Sequence, residues 1–168
     1  EYLEDIKPVI KEKQEFFRSL AKRFYPKNAS GITVYPNEGE NQQRYTIEAK
    51  IESDNSDGIN NVKIFCYDMT MLFKGHGHNV KFSFHDSRLF DGIDEKHKAE
   101  IFKVVNELFN GTDYQYIATV NQNQLNEVKS ILTEQEYEEI IEKNTILTLT
   151  DEDDSEKLLG IKVNVGYE

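Results

Sequence analysis

The stretch Asn79-Val-Lys-Phe-Ser-Phe-His-Asp-Ser-Arg-Leu-Phe-Asp-Gly-Ile-Asp-Glu95 decides how the chain is read. Val80, Phe82 and Phe84 alternate with Lys81, Ser83 and His85, the two-residue period of a β-strand, and the strand runs directly into Asp86. In open α/β sheets ligands bind outside the carboxyl ends of the strands, so an acid there can meet a metal held by a phosphate. A short turn containing Gly92 follows, then Asp94 and Glu95, and then an amphipathic helix. The same residues admit a plainer reading: Asp favours turns, and Asp94 can cap the helix that follows it.

Working outward, Glu52–Asn61 is a polar loop containing Ser56 and Gly58, and it leads into a helix with Val62, Phe65, Cys66, Met69, Leu72 and Phe73 on one face. A Ser/Gly loop at a helix N-terminus offers free N–H groups and the positive end of the helix dipole to a phosphate. It is equally the composition of an ordinary capped loop. On the other side of the deciding stretch, Ile101, Val104, Val105, Leu108 and Phe109 mark a helix closed by Asn110-Gly111, and Tyr114–Val120 reads as a strand. A strand, long helix and strand in that order imply parallel pairing, so Asn121 is expected on the same sheet rim as Asp86.

Further from the centre, Glu1–Phe24 carries helical spacing, with Pro8 marking a kink or a late start. This segment reads either as the end of a coiled coil or as a surface helix. Ile32 and Val34, then Tyr45, Ile47, Ala49 and Ile51, flank a turn and predict an antiparallel hairpin over 31–52 with one buried face. Leu125, Val128, Ile131 and Leu132 predict another helix, and Thr133 with Glu136 has capping-box spacing for a further one. Thr145–Thr150 and Gly160–Val165 are rich in β-formers, and Asp151–Asp154 between them reads as a solvated acidic turn.

The chain's 168 residues suit a single domain: entering helix 1–25, hairpin 31–52, and helix-and-strand region 53–168. A net charge of −11 disfavours nucleic-acid binding by this chain, because phosphate contacts need basic patches. No run approaches the ~20 apolar residues of a membrane span. The first residue is Glu, which suggests a piece of a longer protein, and a single cysteine, Cys66, fits a reducing, cytoplasmic setting. Cys66 lies within the apolar helical pattern and reads as a buried thiol. His76, His78, His85 and Asp86 match no standard zinc spacing.

The phrases Asp57-Gly-Ile-Asn-Asn-Val-Lys-Ile-Phe-Cys-Tyr-Asp68, His85-Asp-Ser-Arg-Leu-Phe-Asp-Gly-Ile-Asp-Glu95 and Tyr116-Ile-Ala-Thr-Val-Asn-Gln-Asn-Gln-Leu125 carry a resemblance. The chain resembles the C-terminal half of an SMC-like ABC ATPase head, within a bacterial domain-of-unknown-function family of coiled-coil ATPases. The resemblance implies the C-terminal lobe of a P-loop ABC-type α/β fold, with ATP and Mg2+ as ligands and DNA repair or defence as a setting. By that resemblance Asp86 is the Walker B acid on the metal, Asp94 the D-loop acid, and Asn121 the switch residue. Ser56 and Gly58 match the signature loop that meets the nucleotide of a second head. Ser87 stands where such heads carry the Glu that polarises the attacking water, and Asn121 where they carry His; slow hydrolysis, or binding alone, is the expected consequence. An alignment shifted by one residue makes His85 the metal ligand and Asp86 the base.

None of the nine glycines is followed by Lys, so the G-x-x-x-x-G-K-[ST] phosphate cradle is missing. The resemblance therefore implies two partners: an N-terminal half of the same polypeptide and a second copy of the head. DNA enters only as a contact of the full-length protein, and no membrane is implied. Two other readings are a non-catalytic interaction module on a degenerate ATPase fold and a metal-dependent nuclease using His85, Asp86 and Asp94.

Overall fold

A computed structural model describes residues 7–37, 45–150, 153, 156 and 157. Among these the chain is a mixed α/β protein with five α-helices and two two-stranded sheets. It divides into two compact units, Glu1–Leu132 and Thr133–Glu168.

The first unit begins with α1 (Lys7–Phe24). Pro8 is the second described residue of this helix, and whether the helix kinks or starts there turns on residues 1–6, which lie outside the described residues. Only the second half of α1 turns inward, burying Phe17, Leu20, Ala21 and Phe24. The hairpin follows as β1 (Ser30–Pro36) and β2 (Tyr45–Ile51), antiparallel from Ser30 opposite Ile51 to Pro36 opposite Tyr45. α1 holds it by its backbone, with Gln14 Nε2 donating to the Ile32 carbonyl at 2.7 Å. The expected buried face is confined to the base: Ile32 and Ile51 are buried, whereas Tyr35 and Ile47 are exposed.

The centre of the unit is α2 (Asp57–Lys74), which meets α1, β2 and β3. Val62, Phe65, Cys66 and Met69 lose all contact with solvent. Each large side chain so buried stabilises the fold by ~1.5–3 kcal/mol. Thr70, equally buried, satisfies its hydroxyl on the Cys66 carbonyl at 2.7 Å. Burial pushes the Cys66 thiol pKa up, which keeps it protonated and inert.

The deciding stretch forms β3 (Phe82–His85), a 3-10 turn at Ser87–Phe90, and α3 (Glu95–Phe109). The helix ends before Gly111, which takes φ +74°. The chain then enters β4 (Gln115–Ala118) and α4 (Gln122–Ile131). β3 and β4 pair in parallel, with Phe82 opposite Gln115 and His85 opposite Ala118, as the strand–helix–strand order requires. The polarity of β3 is the reverse of what its alternation suggests. Val80, Phe82 and Phe84 point to solvent, and His85 is buried. The helical side of the ribbon has polar bonds for His85, while Val80, Phe82 and Phe84 are each about half exposed.

In the second unit, Thr133 caps α5 (Glu134–Ile140) through the expected box: Thr133 Oγ1 accepts from Glu136 N at 3.2 Å, and Glu136 Oε2 accepts from Thr133 N at 2.9 Å. Thr145–Thr150 forms no strand, although its residues favour one; Ile146 is almost fully exposed and no partner strand pairs with the segment among the described residues. Gly160–Val165 and most of Asp151–Asp154 lie outside the described residues.

Two tests follow from this packing. A Cβ on Gly58 would stand 2.3 Å from the Gly92 carbonyl oxygen, a backbone atom, whereas one on Gly31 would meet nothing within 4 Å. Gly58→Ala should lower unfolding free energy by ~2 kcal/mol, since overpacking outweighs the gain in helix propensity. Gly31→Ala should be close to neutral in the same denaturant titration. A Gly58→Ala protein as stable as wild type would contradict the close approach.

The second test concerns Arg23, which hydrogen-bonds Glu100 and Glu107 and so ties α1 to α3. Its guanidinium holds the Glu107 pKa below the ordinary carboxylate value. A lowered folded pKa gives stability present above the unfolded pKa of ~4.3 and lost as pH falls through the folded value. Because the pair is largely exposed, Glu107→Gln should cost no more than ~0.5 kcal/mol at pH 7. That difference should fade on acidification below pH ~4 in the same titration.

Candidate functional site

Parallel strands deliver their carboxyl ends to one rim, and β3 and β4 do so with residues of different character. β3 passes into Asp86, which is exposed and whose Oδ1 accepts from the Arg88 backbone N–H at 3.0 Å, starting the 3-10 turn. Among the described residues no hydrogen bond engages its other carboxylate oxygen. β4 passes into Asn121, also exposed, which caps α4. The acid and the amide thus share a rim and face solvent there.

One side chain joins the two. Gln124, in the first turn of α4, is buried; its Oε1 accepts from Asn121 N at 3.0 Å, and its Nε2 donates to the Ser87 carbonyl and to Asp91 Oδ1, each at 3.0 Å. The orientation of the amide is determined by its partners, since a backbone N–H only donates and a carbonyl only accepts. Ser87, partly buried, offers this carbonyl to the site. The pair Lys98–Glu127 adds a second tie between α3 and α4, satisfying a lysine that is otherwise buried.

The N-terminus of α2 comes to the same turn. Asn61 Nδ2 donates to the carbonyls of Arg88 and Asp91, at 3.2 and 2.9 Å, and Gly58 presses on Gly92, whose φ of +70° suits glycine. Ser56 occupies the N-cap position of α2 without a side-chain cap bond and is exposed. Gly58 is buried, so its lack of a side chain serves a backbone approach. Asp94 caps α3: Oδ1 accepts from His97 N at 3.0 Å and Oδ2 lies 2.7 Å from His97 Nδ1, while His97 Nε2 donates to the Phe24 carbonyl. Asp86, Asn121, Ser56 and Asp94 are all exposed at the N-caps of their turns or helices, and Asp94 is in addition paired with His97, whereas Gly58 is buried in packing.

Three helix N-termini, those of α2, α3 and α4, gather around this turn, and their partial positive charges favour anions. Asp57, Asp86, Asp91, Asp94 and Glu95 stand among them and oppose a bare phosphate. A divalent cation would reconcile the two. Mg2+ is commonly held by one or two carboxylates plus water and phosphate oxygens, and Asp86, with one oxygen disengaged, fits that role. Among the described residues no three His, Cys, Asp or Glu side chains converge to hold a metal by themselves.

The histidines are used otherwise. His85 Nε2 lies 3.0 Å from Asp68 Oδ2 and Nδ1 lies 3.0 Å from the Tyr116 hydroxyl. An ionised Asp68 only accepts, so Nε2 carries a hydrogen; in the neutral ring Nδ1 then accepts from Tyr116. Burial, and secondarily the charge of Asp68, push the Tyr116 pKa up and keep that hydroxyl a donor. His78 Nε2 bonds the Met71 carbonyl at 3.0 Å. With His85 enclosed between α2 and β4, the triad His85, Asp86 and Asp94 does not assemble around a metal. Neither the Asp68–His85–Tyr116 chain nor Gln124 stood out in the sequence. Gln124 stands at capping-box spacing from Asn121, but its other partners and those of Asp68 and Tyr116 are distant in the chain and carry no local signal.

Among the described residues no helix is long and apolar enough to cross a membrane. No curated protein sequence matches the chain. Residues 20–163 match the family described as "Uncharacterised protein conserved in bacteria (DUF2326)". That span takes in the hairpin, both strands of the parallel ribbon and the whole rim, and the chain is a member of this bacterial family.

Proposed function

We propose that the chain is the C-terminal half of an SMC-like ABC-type ATPase head and supplies part of a Mg2+–ATP site. In this reading Asp86 binds the magnesium and Asn121 lies at the γ-phosphate side. Ser56 meets the nucleotide of a second head, with Gly58 and the Asp91–Asp94 turn shaping that surface. The phosphate-cradling loop comes from an N-terminal half of the same polypeptide. The observation that carries the reading is the parallel register of β3 and β4, which brings Asp86 and Asn121 to one solvent-facing rim.

A second feature supports it. Parallel sheets occur with both faces covered and with more than two strands. Here Val80, Phe82, Phe84 and Ile117 lie exposed on the outer side of the ribbon, as expected of a sheet that further polypeptide completes. Phosphoryl transfer depends on positioning and electrostatics, so Ser87 in place of a water-polarising carboxylate implies slow turnover rather than loss of nucleotide. Any DNA contact falls to other parts of the protein, given the charge of −11 here. The same apolar face also favours a second reading, an interaction module that has kept the fold and not the chemistry.

The two readings separate in the intact protein. The ATPase reading requires Mg2+-dependent ATP hydrolysis that Asp86→Ala slows on the order of 10²-fold. Equal rates for wild type and Asp86→Ala, or no hydrolysis by either, favour the module. The isolated 168-residue chain should show no submillimolar ATP binding by calorimetry, since the phosphate cradle lies elsewhere.

A further inference from the structure

Asp86 and Asn121 follow the ends of different strands, and exposed groups there acquire a fixed separation only if something beneath them is rigid. The backbone ladder stops short of them: its last bond runs from Thr119 N to the His85 carbonyl, at 3.1 Å. Beyond that point the link between the two strand ends is the Gln124 carboxamide. It takes one hydrogen bond from Asn121 N and gives two, to the Ser87 carbonyl and to Asp91 Oδ1. Only a neutral carboxamide of this length accepts one and donates two in these directions. A carboxylate would set acceptors against acceptors, and an apolar chain would leave three buried polar groups without a partner.

We propose that Gln124 is the positioning residue of the rim, fixing the turn after Asp86 relative to Asn121 so that the metal-side and phosphate-side groups are held as one unit. The catalytic consequence rests on the nucleotide reading above; the mechanical one does not. Gln124 touches neither ligand in this scheme and acts through Ser87, Asp91 and Asn121. Holding reacting groups in place raises turnover more than ground-state affinity, so its loss should appear in kcat.

The test compares Gln124→Leu and Gln124→Glu in the intact protein with Val128→Ala, a fully buried position one turn further along α4. Temperature is adjusted so that all variants stand equally far below their melting points. In the ATPase assay both Gln124 variants should lose about 10-fold or more in kcat, with KM for ATP changed less than about 3-fold, while Val128→Ala keeps its kcat. Gln124→Glu should also gain a pH dependence. The new carboxyl, facing Asp91 and the Ser87 carbonyl, has a raised pKa, so activity is retained at low pH and lost as pH rises through that value. Equal losses of kcat in all three variants, or a flat pH profile for Gln124→Glu, would overturn the catalytic part.

Hydrogen exchange decides the mechanical part even if the protein hydrolyses no ATP. In Gln124→Leu the amides of Leu89 and Asp91, which close the turn onto Asp86 and Arg88, should exchange about 10-fold faster together with that of Asn121. Faster exchange at Asn121 alone would mean that only a helix cap had been lost, and would overturn the proposal.

Discussion

The parallel ladder between β3 and β4 is the constraint from which the rest of the first unit follows. Because both strands run the same way, a long crossover must join them, and α3 supplies it. The same direction puts both carboxyl ends on one rim, from which α3 and α4 start. α2, entering β3 from the preceding turn, brings its own N-terminus back to that rim, where Asn61 and Gly58 lock onto the Arg88–Gly92 segment. Polar caps, exposed acid and exposed amide are thus gathered by topology first and by side chains second. At the opposite end of the ribbon, Lys81 pairs with Asp113 and closes the start of the two strands.

The two faces of the ribbon have exchanged the roles that their residue types suggest. The helix-facing side holds His85 and Tyr116, which is acceptable because Asp68 completes a chain of satisfied hydrogen bonds through both. The outer side holds Val80, Phe82, Phe84 and Ile117 in water. Covering a Phe there would be worth ~1.5–3 kcal/mol, a large fraction of the net stability of a domain. Polypeptide that covered this side further would gain that stabilisation under either the ATPase or the interaction reading.

Where local chemistry decides, the sequence was legible. The helices that begin at Glu95 and Glu134 are marked by their caps Asp94 and Thr133, and the hairpin by its two alternating runs, whereas the helix read as following a loop over 52–61 already begins at Asp57, inside that loop. Parallel pairing followed from the length of the crossover, and with it the common rim for Asp86 and Asn121. What was not legible depends on partners far along the chain. Val80, Phe82 and Phe84 show the period of a strand but not which side is covered. Gly58 looks the same whether it admits a phosphate or the carbonyl of Gly92. Thr145–Thr150 has β-formers, but no strand pairs with it among the described residues. Gln124 has capping-box spacing to Asn121, but nothing nearby announces its bond to Ser87, 37 residues away, or that of Asp68 to His85, 17 residues away.

The most direct measurement of the central claim is paramagnetic broadening of backbone amide signals when Mn2+ replaces Mg2+ with ATP in the intact protein. The account predicts that the amides of Ser87, Arg88, Asn121 and Gln122 broaden together, while Asn110 and Gly111, at the other end of the ribbon, stay sharp. Broadening centred on Asn110 and Gly111, or on the acidic helix Glu134–Ile140 with the rim untouched, would contradict it.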